Sequence, residues 1–327
     1  MKKSVLILIA LSISFAAFNS YAQEKVNAAN TVDEFTTLVN YLEPNTSFLK
    51  GELPIIMADE VKKNFKNPKY HIVDLRTDSW YEYGHIKNAA NVPATELPTY
   101  FKETINPEDF EKIVLICYSG QSAAYYSSLL NLAGYDNVYS MKWGMSAWRE
   151  DFAANAWTKN AKNDFADKLE ATANTKPELG ESPVIKTGKT EAKDILNARL
   201  EELFATPYSD FIVKSAEVFE APGDYFVVNF DNSETYTKGH IPGAVQYQPG
   251  TSILLESDLL SLPIDKKIAL YSATGQEAAY IVAYLNVLGY NTGNIAYGEN
   301  GFMNGVMKDN DWNAFTKKEI NMFPVIE

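Results

Sequence analysis

The chain repeats itself. Residues 225–246, YFVVNFDNSETYTKGHIPGAVQ, match the stretch around Asp74, and residues 268–290, IALYSATGQEAAYIVAYLNVLGY, match the stretch around Cys117. The offset is 155, and it holds without a gap from His71/Phe226 to Tyr135/Tyr290. Between 113 and 135, eleven of 23 positions are identical, among them Gly120/Gly275, Gln121/Gln276 and Gly134/Gly289, too many for a chance alternation of apolar residues. The chain is therefore a tandem duplication.

Each copy carries the same local unit. Ile113-Val114-Leu115-Ile116 is a short apolar run with β-branched residues, the pattern of a buried strand in a parallel sheet. Behind it, Tyr126, Leu129, Leu130 and Ala133 fall at i, i+3, i+4 and i+7, which predicts one face of a helix, and Ile281, Tyr284, Leu285 and Leu288 repeat the spacing. Gly134 is the residue type that closes a helix in the left-handed conformation. Upstream, Val32, Phe35, Leu38, Val39 and Leu42 predict a helix within 30–50. Ile55-Ile56-Met57 predicts a strand, 59–65 a short helix and 72–75 a second strand. Strands alternating with helices predict an α/β fold, here two domains that each have a central, mostly parallel sheet covered by helices on both faces.

The only cysteine, Cys117, leaves the carboxyl end of the predicted strand. The loop Tyr118, Ser119, Gly120, Gln121 and Ser122 then curls towards the helix start. Unpaired N–H groups and the positive end of the macrodipole favour an anion there, such as a thiolate. A buried lone cysteine is ordinarily a small core hydrophobe, but a turn containing serine and glycine is a poor place to bury an inert one. The second copy has Ser272 at this position, so thiol chemistry is confined to the first.

Lys2 and Lys3 precede the apolar run 5–18, and Ser20-Tyr21-Ala22 offers small residues at −3 and −1, so residues 1–22 read as a signal peptide cut after Ala22. The implied location is periplasmic or secreted. The run is too short, and too soon followed by polar residues, for a permanent membrane span. Loss of two lysines takes the formal charge from −13 to −15, which argues against nucleic acid and anionic membranes as partners. One cysteine in an exported chain can form no internal disulfide. Residues 30–158 are expected to form the cysteine-bearing domain, 159–190 a polar linker with Pro177, Gly180, Pro183 and Gly188, and 191–327 the second domain.

Taken together, Asp74-x-Arg76, Gly84-His85-Ile86, Asn91-x-Pro93, Cys117-x-x-Gly120 and Gly144-Met145-Ser146-Ala147-Trp148 resemble a rhodanese domain, over about residues 52–152 and more weakly over 210–306. The resemblance implies a sulfurtransferase. Cys117 would accept a sulfur atom as a persulfide and pass it on, with Tyr118, Ser119, Gly120, Gln121 and Ser122 as the loop that binds substrate. Its partners would be a small sulfur donor or a protein thiol acceptor. Two departures follow from the residues present. The five residues after Cys117 carry no charge, which makes thiosulfate a doubtful natural donor, and Ala123 stands where related phosphatase loops need an arginine.

Other residues have plainer readings. Asp74 and Arg76 are expected to be structural, since the second copy has Asn229 and Asp231, and His85 likewise, since His240 persists without the thiol. Lys142 and Arg149 flank the GMSAW segment and are candidates for the missing positive charge, though solvated surface is their usual fate. Trp143 and Tyr118 suit an aromatic pocket wall or core packing equally. No metal site is indicated, because the three histidines and one cysteine lack ligand spacing, and no cofactor is implied. The competing reading is a non-catalytic binding or redox-sensing module in which Cys117 is incidental.

Overall fold

The computed structural model describes residues 32–327, so the signal segment expected at 1–22 lies outside the described residues. No described helix is long and apolar enough to cross a membrane. Two five-stranded sheets form the frame. In the first, β1 (Ile55–Ile56), β2 (Tyr70–Asp74), β3 (Ala90–Asn91), β4 (Lys112–Ile116) and β5 (Val138–Met141) lie in the order β1-β5-β4-β2-β3, every pairing parallel. In the second, β6 (Ile212–Val213), β7 (Tyr225–Asn229), β8 (Val245–Gln246), β9 (Lys267–Tyr271) and β10 (Thr292–Ile295) take the order β6-β10-β9-β7-β8. The permutation is the same, and so is the register: Tyr70 pairs with Lys112 as Tyr225 pairs with Lys267.

The central strands β4 and β9 are buried at all but their first residue, the consequence of helices on both faces of a parallel sheet. Helix α1 (Glu34–Asn45) starts where the Asp33 carboxylate accepts from the Thr36 amide, and it buries Phe35, Leu38, Val39 and Leu42. Val32, counted by periodicity in this helix, instead precedes the cap and is 40% exposed. Helix α2 (Ala58–Asn64) follows β1.

The largest departure from expectation concerns α3 (Gln121–Leu132) and its counterpart α5 (Gln276–Val287). The spacing predicts one apolar face, yet both helices are buried nearly all round, Ser127 and Ser128 included. They pack against each other between the two sheets, with the Ser128 hydroxyl donating to the Tyr280 carbonyl at 2.8 Å. Helices hidden on every side carry no single apolar stripe. One continuous core therefore runs from α1 through α3 and α5 to helix α4 (Ala192–Ala205).

The segments after each copy are exchanged. Residues 159–190 join the sheets while docked: the Lys162 amide donates to the Asn300 carbonyl, Gly180 to Leu260, and Thr187 and Gly188 to the Glu34 carboxylate of α1. Ile185 from this polar stretch is buried in the shared core. After helix α6 (Asn300–Asn310), the chain returns to the first copy, where Asn321 and Phe323 donate to Ala147 and Trp148. His85 and His240 are the receiving points. His85 bridges antiparallel to Ile326 and His240 to Glu170, and each ring stacks at 3.8 Å on the tyrosine four residues before it.

Asp74 and Arg76 form a buried pair. Arg76 Nη2 reaches Asp74 Oδ2 at 2.7 Å and also donates to the Gly84 carbonyl at 2.7 Å. Removing one member of such a pair strands a buried charge. Arg76→Ala is therefore expected to cost about 3–5 kcal/mol in urea unfolding, whereas Asp74→Leu combined with Arg76→Met should fall much closer to wild type.

Candidate functional site

Cys117 is the first residue after β4, and the loop behind it closes within three residues because Gly120 takes φ +91°, where a side chain is strained. The turn brings two amides onto the sulfur: Gly120 N–H donates to Sγ at 3.1 Å and Ala123 N–H at 3.4 Å. The loop is pinned from behind by the Trp143–Gly144 turn. Met145 N–H donates to the Cys117 carbonyl at 2.9 Å, and the Ser146 hydroxyl to the Tyr118 carbonyl at 3.0 Å. A Cβ on Gly144 would lie 2.4 Å from the Cys117 oxygen and 2.6 Å from the Gly120 nitrogen, so no larger residue fits this approach. The thiol is free and 2% exposed.

In front of the loop lies a cavity of about 440 Å³ between the two copies. Tyr118, Ser119, Gln121 and Ser122, four of the five loop residues singled out from the sequence, line it together with Trp80 and Lys159 from the first copy and Tyr208 and Tyr297 from the second. Gly120, the fifth, is buried and does not line the cavity. Tyr118 is held there by the Thr77 amide, which donates to its hydroxyl at 3.3 Å, and by the edge of Trp80 at 5.9 Å. Burial pushes the Tyr297 hydroxyl up to about 12, so this lining residue is a neutral phenol.

Neither suspected cation reaches this cavity. Lys142 Nζ donates to Asn313 Oδ1 at 3.0 Å, and Arg149 makes a two-pronged bond to Asp151 at 2.7 Å with a longer one to Glu327. The cation at the rim is Lys159, exposed and outside any ion pair among the described residues. It lies in the expected linker, 42 residues past the cysteine, so loop composition could not point to it. Trp143 is core rather than wall: its ring meets Trp157 at 4.6 Å and Phe315 at 5.3 Å.

The sequence model of the rhodanese-like domain matches residues 57–151 and again 217–307, together more than half of the chain. The chain belongs to the rhodanese-like domain family. Among solved structures, a rhodanese-related protein from Thermoplasma volcanium is 27% identical over 29% of this chain and 90% of its own, with a TM-score of 0.26. A rhodanese-like domain protein from Staphylococcus aureus is 28% identical over 28% of this chain and 86% of its own, with a TM-score of 0.25. A thiosulfate sulfurtransferase from Pseudomonas aeruginosa is 16% identical over 90% of this chain and 48% of its own, with a TM-score of 0.28.

The second rhodanese loop reproduces the backbone of the first around a different chemistry. Gly275 and Ala278 N–H groups donate to Ser272 Oγ at 3.2 and 3.1 Å, the same two amides as at Cys117. The Ser272 hydroxyl then donates to Glu277 Oε2 at 2.9 Å, and the Thr274 hydroxyl donates to the same oxygen at 2.5 Å. Glu277 thus turns its carboxylate onto the loop, where the first copy has Ser122. Beside it stand Asp231, at the position of Arg76, and Glu299, with the buried oxygens Asp231 Oδ2 and Glu299 Oε2 lacking partners. Burial first, and then the Glu277 charge, pushes the Asp231 carboxyl up to about 7, and burial raises Glu299 well above the carboxylate range.

A carboxyl whose folded value lies above its unfolded one binds its proton more tightly in the folded state, so stability falls as pH rises from about 4 to about 7 and stays low above that. Asp231→Asn removes this loss. Its melting temperature relative to wild type is expected to rise by several degrees between pH 5 and pH 8, which calorimetry at the two values would read.

Proposed function

We propose that this rhodanese carries sulfur through Cys117 in the cavity between its copies, and that the second copy does no sulfur chemistry. The observation that supports this reading is the pair of amides from Gly120 and Ala123 converging on Sγ at the head of α3. Two donors and a helix N-terminus favour a sulfur that bears negative charge, both as thiolate and as a persulfide anion one atom longer. In the reaction, the Cys117 thiolate attacks the outer sulfur of a donor. The bond holding that sulfur breaks, S–S in thiosulfate or a polysulfide and C–S in mercaptopyruvate; its electron pair leaves on the donor fragment as sulfite, a thiolate or the pyruvate enolate, and Cys117 keeps the sulfur as a persulfide. An acceptor thiolate then attacks that outer sulfur and Cys117 departs as thiolate. Sulfur moves between nucleophiles without any external oxidant or reductant.

Lys159 is the cation available to an anionic donor, and the walls formed by Trp80, Tyr118, Tyr208 and Tyr297 suit one with a carbon skeleton. The near-complete burial of Cys117 favours a second reading, a binding or redox-sensing module with an inert thiol. Mass spectrometry after exposure to thiosulfate, mercaptopyruvate and an organic polysulfide separates the two, since only the first reading yields one added sulfur on the Cys117 peptide. Cys117→Ser should abolish transfer while leaving the melting temperature near wild type, because Ser272 occupies the same cradle in the second copy. Lys159→Ala should raise KM for an anionic donor roughly two- to fivefold with kcat little changed, the size expected for an exposed charge contact.

This reading also has the protein exported. Residues 2–22 carry the pattern of a cleaved signal. N-terminal sequencing of the mature protein is expected to begin at Gln23; a chain that retains Met1 or Lys2 would overturn export by cleavage.

A further inference from the structure

Gln121 and Gln276 occupy equivalent positions at the first turn of α3 and α5, and both are buried, at 4% and 0% exposure. Each leaves its own helix and enters the other copy's loop. Gln121 Oε1 accepts from the Tyr297 amide at 2.7 Å and from Asn294 Nδ2 at 3.3 Å. Gln276 Oε1 accepts from the Trp143 amide at 2.8 Å, while its Nε2 donates to the carbonyls of Gly120 and Met141, both at 3.3 Å. The contact is close enough that a Cβ on Gly120 would lie 2.4 Å from Gln276 Nε2.

These bonds fall on both walls of the sulfur cradle. Gly120, whose carbonyl Gln276 holds, is the residue whose N–H reaches Sγ. Trp143, whose amide Gln276 accepts, immediately precedes Gly144, the glycine pressed against the Cys117 carbonyl and the Gly120 nitrogen. One side chain of the second copy therefore spans the gap between the turn behind the cysteine and the end of its loop. With the Gly120 carbonyl tethered, the flanking peptides cannot rotate freely, and the amide that meets the sulfur keeps its aim.

We propose that Gln276 is a positioning residue for Cys117, so that the copy without a thiol sets the reactivity of the copy with one. This rests on the reading of Cys117 as the reacting sulfur, but its test does not need turnover. The measurement is the alkylation rate of Cys117 against pH, with the melting temperature recorded in parallel. Gln276→Met keeps the length and removes all three bonds. Gln276→Glu keeps an acceptor for the Trp143 amide and removes the donor to Gly120. Both variants are expected to move the thiol midpoint upward and to slow alkylation at pH 7 about three- to tenfold, the size of one lost or misaimed hydrogen bond. Tyr280→Phe is the control: it removes interface bonds to the Pro54 carbonyl and Ser140 Oγ, away from the loop, and should lower the melting temperature without moving the midpoint.

A midpoint unchanged in both Gln276 variants, or shifted equally by Tyr280→Phe, would overturn the proposal and leave Gln276 as interface packing. Sulfur transfer by the same variants, where it occurs, should lose kcat with KM for the donor unchanged. If wild type transfers no sulfur while the midpoint still shifts, the positioning stands and the persulfide reading fails.

Discussion

The packing of α3 against α5 is the contact on which the rest of the molecule depends. Each helix follows the central strand of its sheet, so pairing them back to back places the two strand-to-helix loops side by side at one end of the interface. Side chains such as Leu129, Leu130, Ile281 and Leu285 are hidden from both sheets' solvent faces at once. Each contributes roughly 1.5–3 kcal/mol of burial. The buried cluster around that helix pair draws on both copies, so each copy completes the core of the other. The cavity in front of the loop that follows Cys117 is a by-product of the same geometry, since its far wall, Tyr208 and Tyr297, comes from the other copy.

On this shared frame, side chains alone make the two loops differ. The amides at Gly120 and Ala123 and those at Gly275 and Ala278 present the same cradle. The first holds a polarizable sulfur with no carboxylate in its hydrogen-bond network. In the second, a hydroxyl relays onto Glu277, Asp231 stands where the first copy has Arg76, and Glu299, whose amide donates to the Ser272 carbonyl as that of Met145 does to Cys117, stands where it has Met145. The Glu277 carboxylate faces any anion that approaches, and burial, with the neighbouring carboxyls adding to it, raises Asp231 to about 7 and Glu299 well above the carboxylate range. Loss of the thiol is thus only one of several differences in charge and hydrogen bonding between the two loops.

The sheets, the duplication and the place of Cys117 were legible because each rests on a local signal: β-branched runs, a fixed offset, and a cysteine at a strand end followed by glycine. What escaped was non-local. Lys159 reaches the cavity from the expected linker, and Gln276 reaches the first loop from the second copy. Periodicity also misjudged α3, because it reports how many faces are apolar, and Ser127, Ser128 and Asn131 look like a solvent face until a second helix is placed against them.

The duplicate's own identities take on a different meaning in this light. Gly120 and Gln121 could be read as parts of a substrate loop, yet their partners Gly275 and Gln276 sit in a loop with no thiol. The interface accounts for all four: each glutamine needs a glycine opposite it, since any Cβ on Gly120 would collide with Gln276 and one on Gly275 would lie 2.8 Å from Gln121 Oε1. The exchanged arms obey the same reasoning. His85 and His240 each hold a segment that follows the other copy, Ile326 on one side and Glu170 on the other. A motif shared between a copy with a nucleophile and a copy without one is therefore evidence about how the copies meet. What sets the two loops apart chemically lies where the copies differ, Cys117 against Ser272 and Ser122 against Glu277.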